Sequence, residues 1–220
     1  MTDEKLWGGV GYDTLDEADK VYDERFTNSD ELERFYLKVG SDNAKEVVFE
    51  TDEPFTLWEH RLNIGGSWKN WLTCRSKIDS AGECRACKEG DASFVGVYFV
   101  RDMTGWKSKK DGKQKGVGKR MLYVATRKVM RQIKILKDRR GSLVGWKVAI
   151  SRAENTSSGC GDLFDPIEKI DMSALLDVGP VPSMDDLWEL FRPLSNAEME
   201  AVLAGKKLKG SDPADDTVEY

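Results

Sequence analysis

Short stretches of alternating apolar and polar residues run through the middle of the chain, the pattern of half-buried β-strands. Phe55 to Leu62 (FTLWEHRL) puts Phe55, Leu57, Glu59 and Arg61 on one side, and Thr56, Trp58, His60 and Leu62 on the other. Phe94 to Arg101 (FVGVYFVR), Met121 to Thr126 (MLYVAT) and Leu143 to Ile150 (LVGWKVAI) predict three further strands. In the last of these Val144, Trp146, Val148 and Ile150 share a face, so Trp146 reads as core rather than as a stacking surface. Tyr36–Val39 and Glu46–Glu50 flank a Gly-Ser-Asp-Asn turn, and a final short strand or loop takes in Leu163, Phe164 and Ile167.

Helical spacing shows in fewer places. Arg127 to Arg139 carries Val129, Ile133 and Leu136 at i, i+4 and i+7, with Gly141 placed to end the helix in a left-handed conformation. Asp13 to about Phe35 is rich in helix formers, with a break at Thr27-Asn28-Ser29 and a second start at Ser29. Near the C-terminus Ser183 and Ser195 are N-caps, the latter with Glu198 three residues on as a capping box. Five or six strands with one helix between them predict a mainly β fold with appended helices. The form expected is an OB-fold-like small barrel interrupted by an inserted subdomain at about 58–92. The expected divisions are an acidic, partly helical arm over 1–35 and the barrel core over 36–170. An acidic helical segment follows over 171–210, then an acidic, disordered tail over 211–220.

The net charge of −5 conceals a strong asymmetry. Residues 1–60 carry −11 and residues 154–220 carry −10, whereas residues 101–153 hold seventeen Lys/Arg against three Asp/Glu, or +14. Such a block is suited to a polyanion, because each neutralised phosphate releases counterions. Aromatic residues interleave with its cations, the combination a single strand needs, since its bases expose faces that a duplex hides. The candidate contacts for single-stranded DNA are the aromatics Trp68, Trp71, Tyr98, Phe99, Trp106 and Tyr123. The candidate cations are Lys69, Arg101, Lys107, Lys109, Lys110, Lys113, Lys115, Lys119, Arg120, Arg127, Arg131, Lys134 and Lys147. Tyr98 and Phe99 point to opposite faces of one strand, so one of them faces the core. For Trp58, packing beside His60 competes with a DNA contact.

The one histidine and three of the four cysteines fall in a single stretch, as His60, Cys74, Cys84 and Cys87. Three thiolates and an imidazole complete the tetrahedral shell that Zn²⁺ prefers, and Cys84-x-x-Cys87 supplies two of them from one tight loop. No position is left for water, so a zinc ion held this way is structural. The competing reading is a Cys84–Cys87 redox pair with His60 at the surface. Cys160, among glycines, reads as a spare thiol. With the histidine committed to metal, no Ser-His or Cys-His nucleophile pair can be assembled. No phosphate-binding Gly-x-x-x-x-Gly-Lys-Ser/Thr loop is present, and the basic block has only Asp102, Asp111 and Asp138 as carboxylates. The chain therefore reads as non-catalytic. The sequence shows neither a secretion signal nor a long apolar run, so a cytoplasmic protein with reduced or metal-bound cysteines is expected.

The order of these features resembles the zinc-containing single-stranded DNA-binding proteins of tailed bacteriophages, the T4-type helix-destabilising family. Trp58-Glu59-His60 on a strand is followed by Cys74, Glu83-Cys84-x-x-Cys87, an aromatic strand and a basic barrel core; the likeness spans about residues 36–170. It implies one zinc at His60, Cys74, Cys84 and Cys87, and DNA in a basic, aromatic-lined cleft. It also implies a role in phage DNA replication, recombination and repair in the host cytoplasm. Partners would be replication or recombination proteins reached through the acidic tail from Asp212 to Tyr220. The chain departs from the family at its start. Members carry a basic N-terminal segment that joins neighbouring subunits on DNA, whereas residues 1–35 here are acidic. Self-association would have to bring this arm against a neighbour's basic block. A second reading is a zinc-stabilised adaptor that binds a polymerase or transcription complex through its acidic ends.

Overall fold

The structure is a computed structural model that describes residues 32–37, 44–64, 67–78, 82–107, 112–154, 159–175 and 179–205. The expected N-terminal helices up to residue 31 and the acidic tail lie outside the described residues, as do Lys109 and Lys110. Side chains at 67–71 and 106–107 are likewise outside them.

The strands in chain order are β1 (Glu33–Arg34), β2 (Lys45–Phe49), β3 (Phe55–Ile64), β4 (Ser67–Thr73), β5 (Ser93–Asp102), β6 (Trp106–Lys107), β7 (Gln114–Lys115) and β8 (Lys119–Thr126). Helix α1 (Arg127–Arg140) follows, then β9 (Trp146–Ser151), β10 (Leu163–Lys169), α2 (Met184–Leu190) and α3 (Asn196–Leu203). Eight strands form one mixed sheet, with the path β1-β8-β5-β2-β9-β10 and β3 and β4 branching from it, while β6 and β7 make a separate hairpin. β5 is the central strand. β8 pairs along the whole of one edge, from Val95↔Thr126 to Asp102↔Lys119. The other edge is shared end to end by β3, beside Ser93–Val97, and β2, beside Val100–Asp102.

The mainly β class with appended helices is as the alternation predicts, and α1 falls in the expected place between β8 and β9. The expected barrel is corrected: among the described residues the sheet stays open, since its end strands β1 and β10 do not pair. The segment after β1 fills that gap instead. Phe35 N–H donates to the Leu122 carbonyl (2.9 Å), and Leu37 N–H donates to the Gly159 carbonyl (2.7 Å). Here the sequence misleads in a second way. Glu33–Arg34, read as helix within an acidic arm ending at 35, instead pairs in parallel with Met121–Leu122. Pairing to an open sheet edge outweighs the local helical preference of such a short segment.

Tyr123 sits at the centre of the main core. Its ring lies 5.7 Å from Phe35, 6.0 Å from Phe49 and 6.4 Å from Phe164. Helix α1 covers this face of the sheet through Val129 and Ile133. The helix starts where Thr126 accepts from Val129 N–H, and it ends at Gly141, whose φ of 77° permits the left-handed cap. Met130 lies so close over Gly96 that a Cβ there would sit 2.3 Å from its sulfur. Glycine at that position is what lets the helix approach. On the other face Phe191, just after α2, stacks on Phe55 at 5.6 Å.

Candidate metal centre

His60, Cys74, Cys84 and Cys87 come together where β3 passes beyond its pairing with β5. The β3–β4 hairpin pairs His60 with Leu72, and Cys74 N–H then donates to the Trp58 carbonyl (2.8 Å). Cys74 precedes a 3₁₀ turn at Arg75–Lys77, and Cys84 precedes another at Arg85–Lys88 that carries Cys87. The ligand atoms of the four residues all lie within 4.8 Å of one another.

Three of the six edges of this cluster are close to those of a zinc tetrahedron. Cys74 Sγ and Cys87 Sγ are 3.5 Å apart, and His60 Nε2 is 3.5 Å from Cys84 Sγ and 3.6 Å from Cys87 Sγ. Bond lengths of 2.0–2.3 Å to zinc require edges of about 3.5–3.8 Å. The four residues therefore form a His/Cys₃ site that can hold one metal ion and is compatible with a structural zinc. Three of them are buried and Cys87 is exposed.

Local electrostatics favour the ligating forms of His60 and Cys84. Burial holds the His60 pKa below its ordinary value, against the opposing pull of the Gly90 backbone and the Asp91 and Glu59 charges. The ring is thus neutral, as a ligand must be. For Cys84, burial alone would raise the thiol pKa. Backbone N–H groups of Arg75, Cys87 and Ala86 outweigh it and bring the value down. The Ser76 hydroxyl stabilises the Cys87 thiolate, but burial and the neighbouring sulfurs leave its pKa raised. A cation among the sulfurs would relieve that repulsion. Ser76 lies 3.2 Å from Cys74 Sγ and 3.3 Å from Cys87 Sγ, a supporting role that its place two residues after Cys74 could have signalled.

A second apolar cluster surrounds the site: Leu62, Leu72, Ala86 and Met199 with the two buried cysteines. Met199 arrives from α3. Asn196 at the start of that helix accepts from Arg85 N–H in the Cys84–Cys87 loop (3.1 Å), and Arg75 donates to the Leu194 carbonyl (3.3 Å). The metal loops and the C-terminal helix thus form one packed unit. β4 was not expected from the sequence, because polar residues break its alternation; pairing with β3 makes it a strand. Cys160 is buried in the main core, far from the cluster in the packing.

The structure sorts the other candidate residues sharply. Tyr98 and Phe99 are 3 % exposed and Tyr123 is fully buried, so all three are core and none offers a face to a base. Burial holds the Tyr98 phenol up at about 12, with the Glu53 charge adding to it. Arg101 and Arg120 are also corrected. They lie opposite each other in register and both bond the buried Glu50 carboxylate, at 2.9 and 2.6 Å. Two guanidinium groups side by side need that anion. Lys119 pairs with Glu33 (2.7 Å), and Lys147 with Glu168 (2.7 Å) and Glu46 (3.6 Å). Lys134 pairs with Asp138 at the surface, a contact weak enough to exchange for another anion. Arg127 and Arg131 are exposed on α1, Lys113 is exposed, and Lys115 is partly so. Trp68, Lys69, Trp71, Trp106 and Lys107 belong to β4 and β6, with side chains outside those described.

Fold and cluster together define a mainly β protein built round an open sheet, with a candidate metal site docked against its C-terminal helix. Comparison with protein families, with curated proteins and with solved structures finds no match. Among the described residues no helix is long and apolar enough to cross a membrane.

Proposed function

We propose that the protein is a non-catalytic, sequence-tolerant binder of single-stranded DNA, in which one zinc ion at His60, Cys74, Cys84 and Cys87 braces the fold. The observation that carries this reading is helix α1. In a chain of net charge −5 it gathers seven Lys/Arg with Asp138 as its one acid, and Arg127, Lys128 and Arg131 are exposed at its N-terminal end. A cationic ridge on an acidic protein suits a phosphate backbone. Four protein ligands would close the zinc shell, so the metal would hold loops in place and activate no water. The resemblance to the phage helix-destabilising proteins supports the same function, in replication, recombination and repair in the host cytoplasm.

Fluorescence titration of the full chain with oligo-dT, with a duplex of equal length and with the matching RNA tests this. Tight binding to oligo-dT, much weaker duplex binding and a steep salt dependence are expected, each phosphate contact adding roughly −0.7 to the log–log slope. Equal affinity for single strand and duplex would defeat the proposal.

The adaptor reading has one observation in its favour. Trp188 on α2 is 60 % exposed among the exposed acids Asp185, Asp186 and Glu189, a surface suited to a basic protein partner. Capture of a replication or transcription protein by a chain that binds no nucleic acid would favour it.

A further inference from the structure

With Tyr98, Phe99 and Tyr123 in the core, the described aromatics open to a base are elsewhere. Trp58 on β3 and Phe94 on β5 are paired in register, with ring centroids 5.4 Å apart. Trp58 is 38 % exposed and Phe94 is half-buried. Register also fixes which face they occupy. Thr56 pairs with Gly96 and Trp58 with Phe94, so both aromatics lie on the Gly96–Tyr98 face that α1 covers. Met130 of α1 rests over Gly96, and the cover stops there. Val95 pairs with Thr126, the residue before α1, so the start of the helix stands at the same end of the sheet. Arg127, Lys128 and Arg131 are exposed along that first turn and a half. A third element is Lys77, whose ammonium sits 5.1 Å from the centre of the Trp58 ring.

The metal loop sets this arrangement. Cys74 N–H bonds the Trp58 carbonyl, and the 3₁₀ turn after Cys74 delivers Lys77 above the ring. An exposed lysine over an exposed indole is held by a weak cation–π attraction that a stacked base can replace. The displaced ammonium is then free to meet a phosphate.

We infer that Trp58 and Phe94 form a stacking platform for an unpaired nucleobase, with Lys77 and the cations at the start of α1 flanking it to take the adjoining phosphates. The inference rests on the proposed binding of single strands and names the site that performs it. A solvent-facing indole beside a ring and a cation suits any base, because each has a π-face.

The test titrates the metal-loaded full chain, Trp58→Leu and Trp58→Phe with two ligands: oligo-dT, and an oligomer of equal length in which every base is replaced by an abasic site. Metal content and near-ultraviolet circular dichroism check that each variant is folded. The wild type is expected to prefer oligo-dT. Trp58→Leu keeps bulk without a ring and should lose roughly 5- to 150-fold in oligo-dT affinity with the abasic affinity unchanged. Trp58→Phe should keep most of the preference. A Trp58→Leu protein with wild-type preference would overturn the platform while leaving single-strand binding intact. An equal fall for both ligands would overturn it too, showing Trp58 to act only through the fold. Failure of the wild type to bind either ligand would overturn the functional reading and the platform with it. Should Trp58→Leu fail to fold, Lys77→Glu replaces it. That variant is expected to weaken both ligands, and unchanged binding would count against the platform.

Discussion

One strand passes through two regions that are stabilised differently. Along β3, Phe55, Leu57 and Glu59 are buried on one face, while His60 and Leu62 are buried on the other. The first group belongs to the sheet and the second to the metal-centred unit. The sheet core around Tyr123 gathers fourteen buried residues from strands, helix and connecting segments, enough to order a sheet by apolar burial. The apolar cluster of the metal unit has six, two of which are the ligands Cys74 and Cys84. A cluster that small cannot offset the entropy lost in ordering the Cys74 and Cys84–Cys87 loops and an eight-residue helix. The difference marks which region a metal ion at the cluster would brace and which orders by apolar burial.

The largest expected effect breaks the two regions apart. Structural zinc contributes about 10–16 kcal/mol of binding free energy in small units at neutral pH, and that energy is folding energy. Chelation, or Cys84→Ser, is expected to unfold the metal unit and release α3 while the sheet core survives. Hydrogen exchange checks it residue by residue. Amides of Leu72, Glu89, Gly90 and Met199 should exchange orders of magnitude faster, and those of Val100, Leu122 and Tyr123 should hold. Loss of both sets together would mean that the sheet leans on the metal as well. Retention of both would mean that no metal is needed.

A smaller effect belongs to the sheet. The Glu50 carboxylate is fully buried between Arg101 and Arg120, and Arg120 also donates to the Gly179 and Pro180 carbonyls. Glu50→Ala leaves two guanidinium groups facing each other without an anion, a loss of about 3–5 kcal/mol. Denaturant unfolding should show that loss with the metal still bound. A change under about 1 kcal/mol would show that the two arginines find solvent or other acceptors.

These two regions also differ in how far the sequence reveals them. The metal site was legible because its residue types are scarce and their chemistry is specific: one histidine and three cysteines within one stretch admit few arrangements. Most strands were legible too, through the alternation of Phe55–Leu62 and the continuous apolar run of Phe94–Arg101. What escaped was every role set by a distant partner. Arg101 and Arg120 look like DNA contacts until Glu50, 51 and 70 residues away along the chain, is seen to hold them. Tyr98 and Tyr123 looked like stacking surfaces because they stand among cations. They sit opposite each other on β5 and β8, on the face that the helix covers, and the helix decides. For Trp58 the sequence left packing beside His60 and a DNA contact open; the ring is 38 % exposed because the cover ends between Gly96 and Phe94, a boundary that depends on where α1 begins.

The smallest effect probes how α3 is held at its own end. Ser195 accepts from Glu198 N–H, and Glu198 accepts from Ser195 N–H, the reciprocal pair of a capping box. The Arg192 guanidinium, 2.8 Å from the Glu198 carboxylate, and the Ser195 donors hold that carboxyl at about 2, below its ordinary 4.5. Because this pKa is depressed in the folded state, the contribution is complete above pH 4.5 and is lost as pH falls towards 2. In carbon-detected titration the Glu198 carboxylate is therefore expected to stay unmoved from pH 8 down to 4.5, where a free glutamate would be half protonated. Removing the cap by Ser195→Ala should weaken α3 by about 1 kcal/mol. Exchange at Met199 and Val202 should rise accordingly at neutral pH, with Leu72 and Glu89 unchanged. If those metal-loop amides rise in step with Met199, the helix and the loops open as one unit. The line dividing the molecule would then run along the edge of the sheet, with α3 on the metal's side of it.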